Sequence, residues 1–271
     1  MSRWRTVAVV TLLVAATATA RPAPELEITA PPELESAAAR VRALAGGDFG
    51  AVLRLTGRLG FTRPIGVLLV PESADLAART PRWVSGFADG RRRLVVLFPA
   101  RVPSYPDRTL EALLHHEDAH VMVAEAAAGE PVPRWFNEGL ATVAAREWGL
   151  EDGARYALAV VGRRERSTDE LDRAFAEGGR RASRAYALSA AFVRFVLDRH
   201  GAGATAAILA EVADGHPFRE AYRRATGSRL AADERLFFGR RAFWYTWVPF
   251  LTSSAALWLA ITALAPSRKA A

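Results

Sequence analysis

Three histidines and two acids fall within six consecutive residues, the segment His115–His120 with the sequence HHEDAH. On a helix His116 and His120 lie about 40° apart and one turn along the same face, so one tetrahedral metal ion can accept both imidazoles. Glu117 lies about 60° from His120, which lets it activate a water at that site without ligating the metal. His115 points to the opposite side. The spacing therefore predicts a zinc site with an adjacent general base.

A third ligand is offered by Glu138, which lies 18 residues after His120 in the segment PRWFNEGLA. The proline-broken loop that ends at Pro133 lets the next helix fold back antiparallel and bring this carboxylate to the metal. A charge between Phe136 and Leu140 otherwise has no reason to be buried. The alternative interpretation is an ordinary glutamate on a helix surface.

Composition excludes several other functions. The chain of 271 residues has no cysteine, so disulfides and thiolate metal sites are excluded and any metal must bind histidines and carboxylates. The net charge is +7, and Lys269 is the only lysine. The arginines are interspersed with acids and accompany no recognition-helix or RNA-binding motif, so we expect no nucleic-acid partner.

The elements that must position the site form an α+β pattern. The apolar run Ile65–Val70 predicts a buried strand, and the runs Trp83–Ala88 and Leu94–Phe98 flank Asp89-Gly90, which predicts a hairpin. A helical stretch near 36–59 precedes them. Predicted helices then cover roughly 107–128, 133–148, 153–162, 168–177, 183–199, 204–213, 217–225 and 230–241. We therefore expect a small N-terminal mixed β-sheet followed by a mainly helical part, within one domain spanning 36–241.

The two ends of the chain are hydrophobic in different ways. Residues 1–20 combine early arginines, a short apolar run and small residues, as a signal peptide does, and the proline-rich segment 21–35 is typical of a linker. Residues 243–265 contain no charge and are long enough to cross a bilayer, and a short basic tail, 266–271, follows. The alternative for 243–265 is a buried core helix. This order predicts a single-pass protein of the cell membrane with its domain on the extracytoplasmic side.

The segments HEDAH and PRWFNEGLA together resemble the gluzincin zinc metallopeptidases, specifically the bacterial peptidase MA-like group, and the likeness covers roughly residues 65–240. The resemblance implies a thermolysin-like domain with Zn²⁺ bound by His116, His120 and Glu138. It also implies that Glu117 activates water for attack on a peptide carbonyl, so that the substrate is a peptide or protein. Tyr186 stands where the resemblance places a tyrosine that stabilises the transition state; its alternative role is packing in the core.

Several residues leave alternatives open. Asp118 stands where the family usually has an apolar residue, so it either pairs with an arginine or tunes the helix, or it marks a weakened site; the last favours a metallopeptidase-like binding protein without activity. Asn137 either orients Glu138 or caps a helix. Asp89 replaces the glutamate with which aminopeptidases grip the substrate N-terminus, so aminopeptidase activity is not supported, although the strand Trp83–Ala88 could pair with a peptide. A zinc hydrolase of non-peptide bonds is a third possibility.

Overall fold

The computed structural model describes residues 24–239, apart from 45–46, 48, 61–62, 103–108, 146–148 and 150–164, together with Trp258. The predicted signal peptide 1–20, the predicted membrane span 243–265 other than Trp258, the tail 266–271 and the helix near 153–162 lie outside the described residues. Among the described helices, none combines the length and the apolar character that a membrane crossing needs.

Four strands form one mixed sheet: β1 (Leu26–Thr29), β2 (Ile65–Leu69), β3 (Gly86–Asp89) and β4 (Leu94–Leu97). Their order in the sheet is β1-β2-β4-β3. The β1–β2 and β2–β4 pairs are parallel, and β3 pairs antiparallel with β4. Because β3 lies last in this order, it is an edge strand of the described sheet.

The predicted buried strand and the predicted hairpin are confirmed. The hairpin turns over residues 90–93, where Asp89 Oδ1 accepts hydrogen bonds from the backbone N–H groups of Arg91 and Arg92. The assignment of 21–35 to a linker is corrected by β1, which lies within it. Its alternating apolar residues, Leu26 and Ile28, pack on the sheet core, and the prolines flank the strand rather than interrupt it.

Ten α-helices and two short 3₁₀ helices lie in the described part of residues 24–239, and the α-helices position the site. They are α1 (Glu35–Leu44), α2 (Gly50–Thr56), α3 (Asp75–Arg79), α4 (Leu110–Ala126), α5 (Arg134–Ala145), α6 (Thr168–Glu177), α7 (Gly179–His200), α8 (Ala204–Ala213), α9 (Phe218–Thr226) and α10 (Leu230–Phe238). The single helix expected near 36–59 is two helices, and the second ends at Gly57 in the left-handed conformation that glycine favours. The α+β arrangement, mainly helical with a small mixed sheet, is confirmed.

Helix α4 lies between two hydrophobic cores. Its first residue follows Thr109, whose side chain accepts a hydrogen bond from the N–H of Ala112 and caps the helix. Leu113 and Leu114 pack in the core of the sheet and α1, whereas Met122 and Val123 pack in the core of the C-terminal helices. Because both cores hold α4, the histidines on it are rigidly placed at their junction.

Helix α5 packs closely against α7 at Gly139. A β-carbon at this position would lie 2.6 Å from the Ser189 carbonyl oxygen and 2.8 Å from Val193 Cγ2, which is closer than real side chains approach. Glycine is therefore required for the two helices to meet.

Candidate metal centre

The structure brings His116, His120 and Glu138 together, the first two from α4 and the third from α5. One ligand atom from each lies within 4.8 Å of the others. Glu138 Oε2 is 3.4 Å from His116 Nε2 and 3.5 Å from His120 Nε2. His116 and Glu138 are buried, and His120 is partly exposed, so the group opens to solvent on one side.

These residues fit a zinc ion. Two imidazoles and one carboxylate form a common catalytic zinc donor set that leaves a fourth position open. Metal–ligand bonds of about 2.0–2.1 Å in tetrahedral geometry separate neighbouring ligand atoms by about 3.3 Å, close to the two distances from Glu138 Oε2. That buried oxygen also accepts no hydrogen bond among the described residues. A bound cation would satisfy it.

The electrostatics of the cluster favour a positive charge beside Glu138. Burial acts to raise the pKa of the Glu138 carboxyl, but the neighbouring imidazoles of His116 and His120 outweigh this effect and lower the pKa below its ordinary value. Burial acts to lower the pKa of His120, but its interactions with Glu138 outweigh this effect and raise that pKa. Glu138 is therefore an ionised carboxylate aimed at the two imidazoles, as a metal ligand must be.

Asn137 orients His120 rather than Glu138. Its Oδ1 lies 2.9 Å from His120 Nδ1. Because an amide oxygen only accepts hydrogen bonds, Nδ1 carries the proton and donates it, which leaves the lone pair of Nε2 for a metal. Of the two alternatives open from sequence, neither describes this contact. The sequence offered one signal for this contact: the amide of Asn137 stands directly before Glu138 in a segment that is otherwise largely apolar.

Glu117 lies where α4 meets the edge strand β3. Its side chain is 4% exposed. A β-carbon on Gly86 would lie 3.1 Å from Glu117 Oε1, which is tighter than most real contacts. A side chain at the first residue of β3 would therefore require the carboxylate or the strand to shift by a few tenths of an ångström. No sequence pattern had connected Gly86 with Glu117.

Tyr186 from α7 borders the cluster. Its ring centroid is 6.3 Å from that of His116, and it packs edge to face on Phe175 at 4.9 Å. The guanidinium carbon of Arg134 also lies 4.9 Å from the Phe175 ring centroid. Arg134 Nε also lies 3.3 Å from Glu138 Oε1. Tyr186, Phe175 and Arg134 thus form one wall beside the ligands.

A family model described as the Peptidase MA superfamily matches residues 63–240, about two thirds of the chain. The chain belongs to this superfamily. A search of curated proteins found no match, and neither did a search of solved structures. The matched segment contains β2, the hairpin and both helices that carry the His–His–Glu cluster. Membership in the Peptidase MA superfamily, together with this cluster, indicates a metallopeptidase-like hydrolase.

Asp118, next to Glu117 on α4, is buried without a hydrogen-bond partner in the described structure. Its side chain is fully buried, and neither carboxylate oxygen has a hydrogen-bond partner among the described residues. Burial raises the pKa of Asp118 well above its ordinary value, with the charge of Glu117 adding to the shift and that of Arg93 opposing it. The arginine pairing considered from sequence is therefore not formed in the described structure.

The other histidines lie outside the cluster. His115 packs against Phe49 on the far side of α4, with ring centroids 4.4 Å apart, as the helical periodicity predicted. His200 contacts the buried Asp233 at 2.8 Å and so joins α7 to α10. His216 is half-buried, and its Nε2 lies 3.5 Å from Glu211 Oε2.

Proposed function

We propose that the protein is a gluzincin-type zinc metallopeptidase that hydrolyses peptide bonds. The observation that carries the proposal is the convergence of His116, His120 and Glu138, beside Glu117, in a member of the Peptidase MA superfamily. When bound there, zinc would polarise the substrate carbonyl and lower the pKa of water. The remaining chemistry falls to side chains of this chain.

Glu117 is the proposed general base. Buried beside the ligands, it takes a proton from the attacking water and delivers it to the leaving amine. Tyr186 donates a hydrogen bond to the oxyanion that forms on the carbonyl, a role that its place beside His116 supports. Asn137 is a positioning residue, since it acts only by holding His120.

The edge strand β3 supports a peptide as the substrate class. The N–H of Phe98 donates to the C=O of Ser85, and in the antiparallel register this directs the main-chain groups of Gly86 and Ala88 away from β4. Those groups are placed to pair with an extended chain lying along β3. Such a chain would pass Glu117 next to Gly86.

The direct test is zinc stoichiometry combined with Glu117→Gln. The wild type is expected to bind one zinc per chain and to cleave peptides, and the variant to retain zinc while its kcat falls about 10²- to 10⁴-fold. Glu111→Gln, an exposed change on the first turn of the same helix, is the matched control and should alter neither quantity. A zinc-free protein, or proteolysis that survives Glu117→Gln, would refute the proposal.

Two further measurements, the cellular phenotype of Glu117→Gln and a substrate profile of the wild type, separate the alternatives. A metallopeptidase-like binding protein without activity would keep its cellular phenotype in Glu117→Gln cells, whereas a peptidase would lose it. A zinc hydrolase of non-peptide bonds would turn over ester or amide substrates in a profiling set but no peptide. Either result assigns the metal cluster to a different use.

We also propose that the domain is exported and tethered to the cell membrane by residues 243–265. The arginines and apolar run of 1–20 and the uncharged length of 243–265 support this placement. Deleting 243–271 is expected to move the protein from the membrane fraction to the soluble exported fraction. A deletion protein that stays in the membrane fraction, or a full chain recovered in the cytoplasm, would contradict it.

A further inference from the structure

We propose that Arg134 binds a carboxylate of the substrate and makes the enzyme prefer peptides that carry one next to the cleaved bond. The inference rests on the proposed peptidase function and names the substrate class of the same site. We infer it from where the Arg134 side chain lies, from the contacts that hold it, and from the N–H donors that no described residue uses.

The position of Arg134 follows from α5. It is the first residue of the helix and lies four residues before Glu138, so the two side chains share one face. Arg134 Nε is 3.3 Å from Glu138 Oε1, while Glu138 Oε2 faces the two imidazoles. One carboxylate thus connects the guanidinium to the metal cluster. The guanidinium therefore lies within one side-chain length of the reaction centre.

The guanidinium is also held in a defined orientation. Its carbon lies 4.9 Å from the ring centroid of Phe175, which is buried and packs edge to face on Tyr186. Tyr186 is the proposed oxyanion donor. Stacking and the contact to Glu138 restrain the planar group from two directions, so little entropy remains to be lost when a ligand binds.

Arg134 retains capacity for a second anion. Its side chain is 45% exposed, and within the described part of the chain its one ion pair uses Nε. The two Nη groups carry four N–H donors, which match the two oxygens of a carboxylate. The charge of Arg134 acts on the nearby Asp172, but no ion pair joins the two side chains among the described residues, and Asp172 Oδ1 accepts from the Trp135 N–H at 2.6 Å. Among the described residues, no carboxylate forms an ion pair with the two Nη groups, so these donors are available to a substrate carboxylate.

Two kinds of peptide provide this chemistry: a short product-side segment ending in a free C-terminal carboxylate, and a chain with aspartate or glutamate beside the cleaved bond. The probes are three N-acetylated alanine peptides of equal length, one with a free C-terminus, one amidated, and one amidated with a single glutamate. Binding is measured by calorimetry on the full-length, zinc-loaded Glu117→Gln protein, in which turnover is suppressed.

At least one carboxylate peptide is expected to bind about tenfold or more tightly than the neutral amide. Adding Arg134→Gln should abolish this difference, and Arg134→Lys should preserve part of it, since the charge remains but the planar fork does not. Arg173→Gln, on the exposed face of α6, removes the same charge away from the cluster and should leave the preference intact. Whichever carboxylate peptide binds more tightly identifies the source.

Equal or undetectable binding of the acidic and neutral peptides would overturn the inference, as would a preference that survives Arg134→Gln. Zinc content, measured on every variant, tests whether a loss is instead transmitted through Glu138; an Arg134→Gln protein whose preference returns once zinc is restored would also overturn it. If the wild type hydrolyses peptides but does not bind carboxylate peptides more tightly, this inference is wrong and the proposed function stands. If the carboxylate preference depends on Arg134 but the wild type hydrolyses no peptide, the proposed function is wrong and the binding preference stands.

Discussion

Asn137 Oδ1 lies 2.9 Å from His120 Nδ1, so the residue before one metal ligand orients another on a different helix. Partners of this kind typically contribute 10–100-fold to metal affinity. Asn137→Leu, which removes the acceptor at similar volume, is expected to weaken zinc binding about 10- to 100-fold in a chelator competition assay. Asn137→Asp keeps an acceptor oxygen and should stay close to the wild type. Wild-type affinity in Asn137→Leu would show that the contact does not position His120.

The contact of Gly86 with Glu117 predicts a catalytic defect without loss of metal. Gly86→Ala would place a methyl group 3.1 Å from Glu117 Oε1, so the carboxylate or the strand must shift by a few tenths of an ångström. We expect kcat to fall about tenfold or more while zinc stoichiometry stays unchanged, because a misplaced general base slows only the chemistry. Gly203→Ala, at a glycine with open space around it, is the control. Unchanged kcat in Gly86→Ala would mean that the site tolerates the added methyl group.

Because Asp118 is buried without a hydrogen-bond partner among the described residues, we expect its replacement to stabilise the protein. A buried carboxyl without a hydrogen-bond partner costs about 1–3 kcal/mol. Asp118→Ala is therefore expected to raise the free energy of unfolding by about 1–2 kcal/mol in urea denaturation at neutral pH. Asp198→Ala, an exposed change on α7, should alter it by less than about 0.5 kcal/mol. A destabilised Asp118→Ala protein would reveal a partner for this carboxyl, and a stabilised but inactive one would reveal a functional role.

Asp172 predicts a pH-dependent contribution to stability at the first turn of α5. Burial raises its pKa and the charge of Asp169 adds to this, whereas the hydrogen bond from the Trp135 N–H opposes it. A carboxyl with a raised folded-state pKa contributes stability that is fully present below its unfolded pKa, about 3.9, and is lost as pH rises through the folded value. Asp172→Asn, which keeps an acceptor but does not titrate, should therefore gain stability relative to the wild type between about pH 3 and about pH 7.

Unfolding free energies of both proteins across that range measure the effect. Asp198→Asn, an exposed change on α7, should alter the slope much less. A difference between wild type and Asp172→Asn that does not vary with pH, or that changes in the opposite direction, would contradict the assignment.

Local periodicity accounts for the part of the site that sequence predicted. His116, Glu117 and His120 lie on one helix, so the 100° step between residues alone places them relative to one another. The hairpin at Asp89-Gly90 and the buried strand at Ile65–Leu69 are likewise short-range patterns. The strand at Leu26–Thr29 escaped prediction because its partner, β2, lies nearly 40 residues away and prolines surround it.

The sequence by itself determined which residue types could ligate a metal, their spacing along one helix, and the order in which the sheet and the helices follow. Only the tertiary structure decided that Asn137 reaches His120, that Gly86 passes Glu117 and that Asp118 is buried. Each of these depends on how two elements distant in sequence pack together, and packing is set by the volumes of all the residues between them. The periodicity within one helix carries no information about how closely that helix packs against an element distant in sequence.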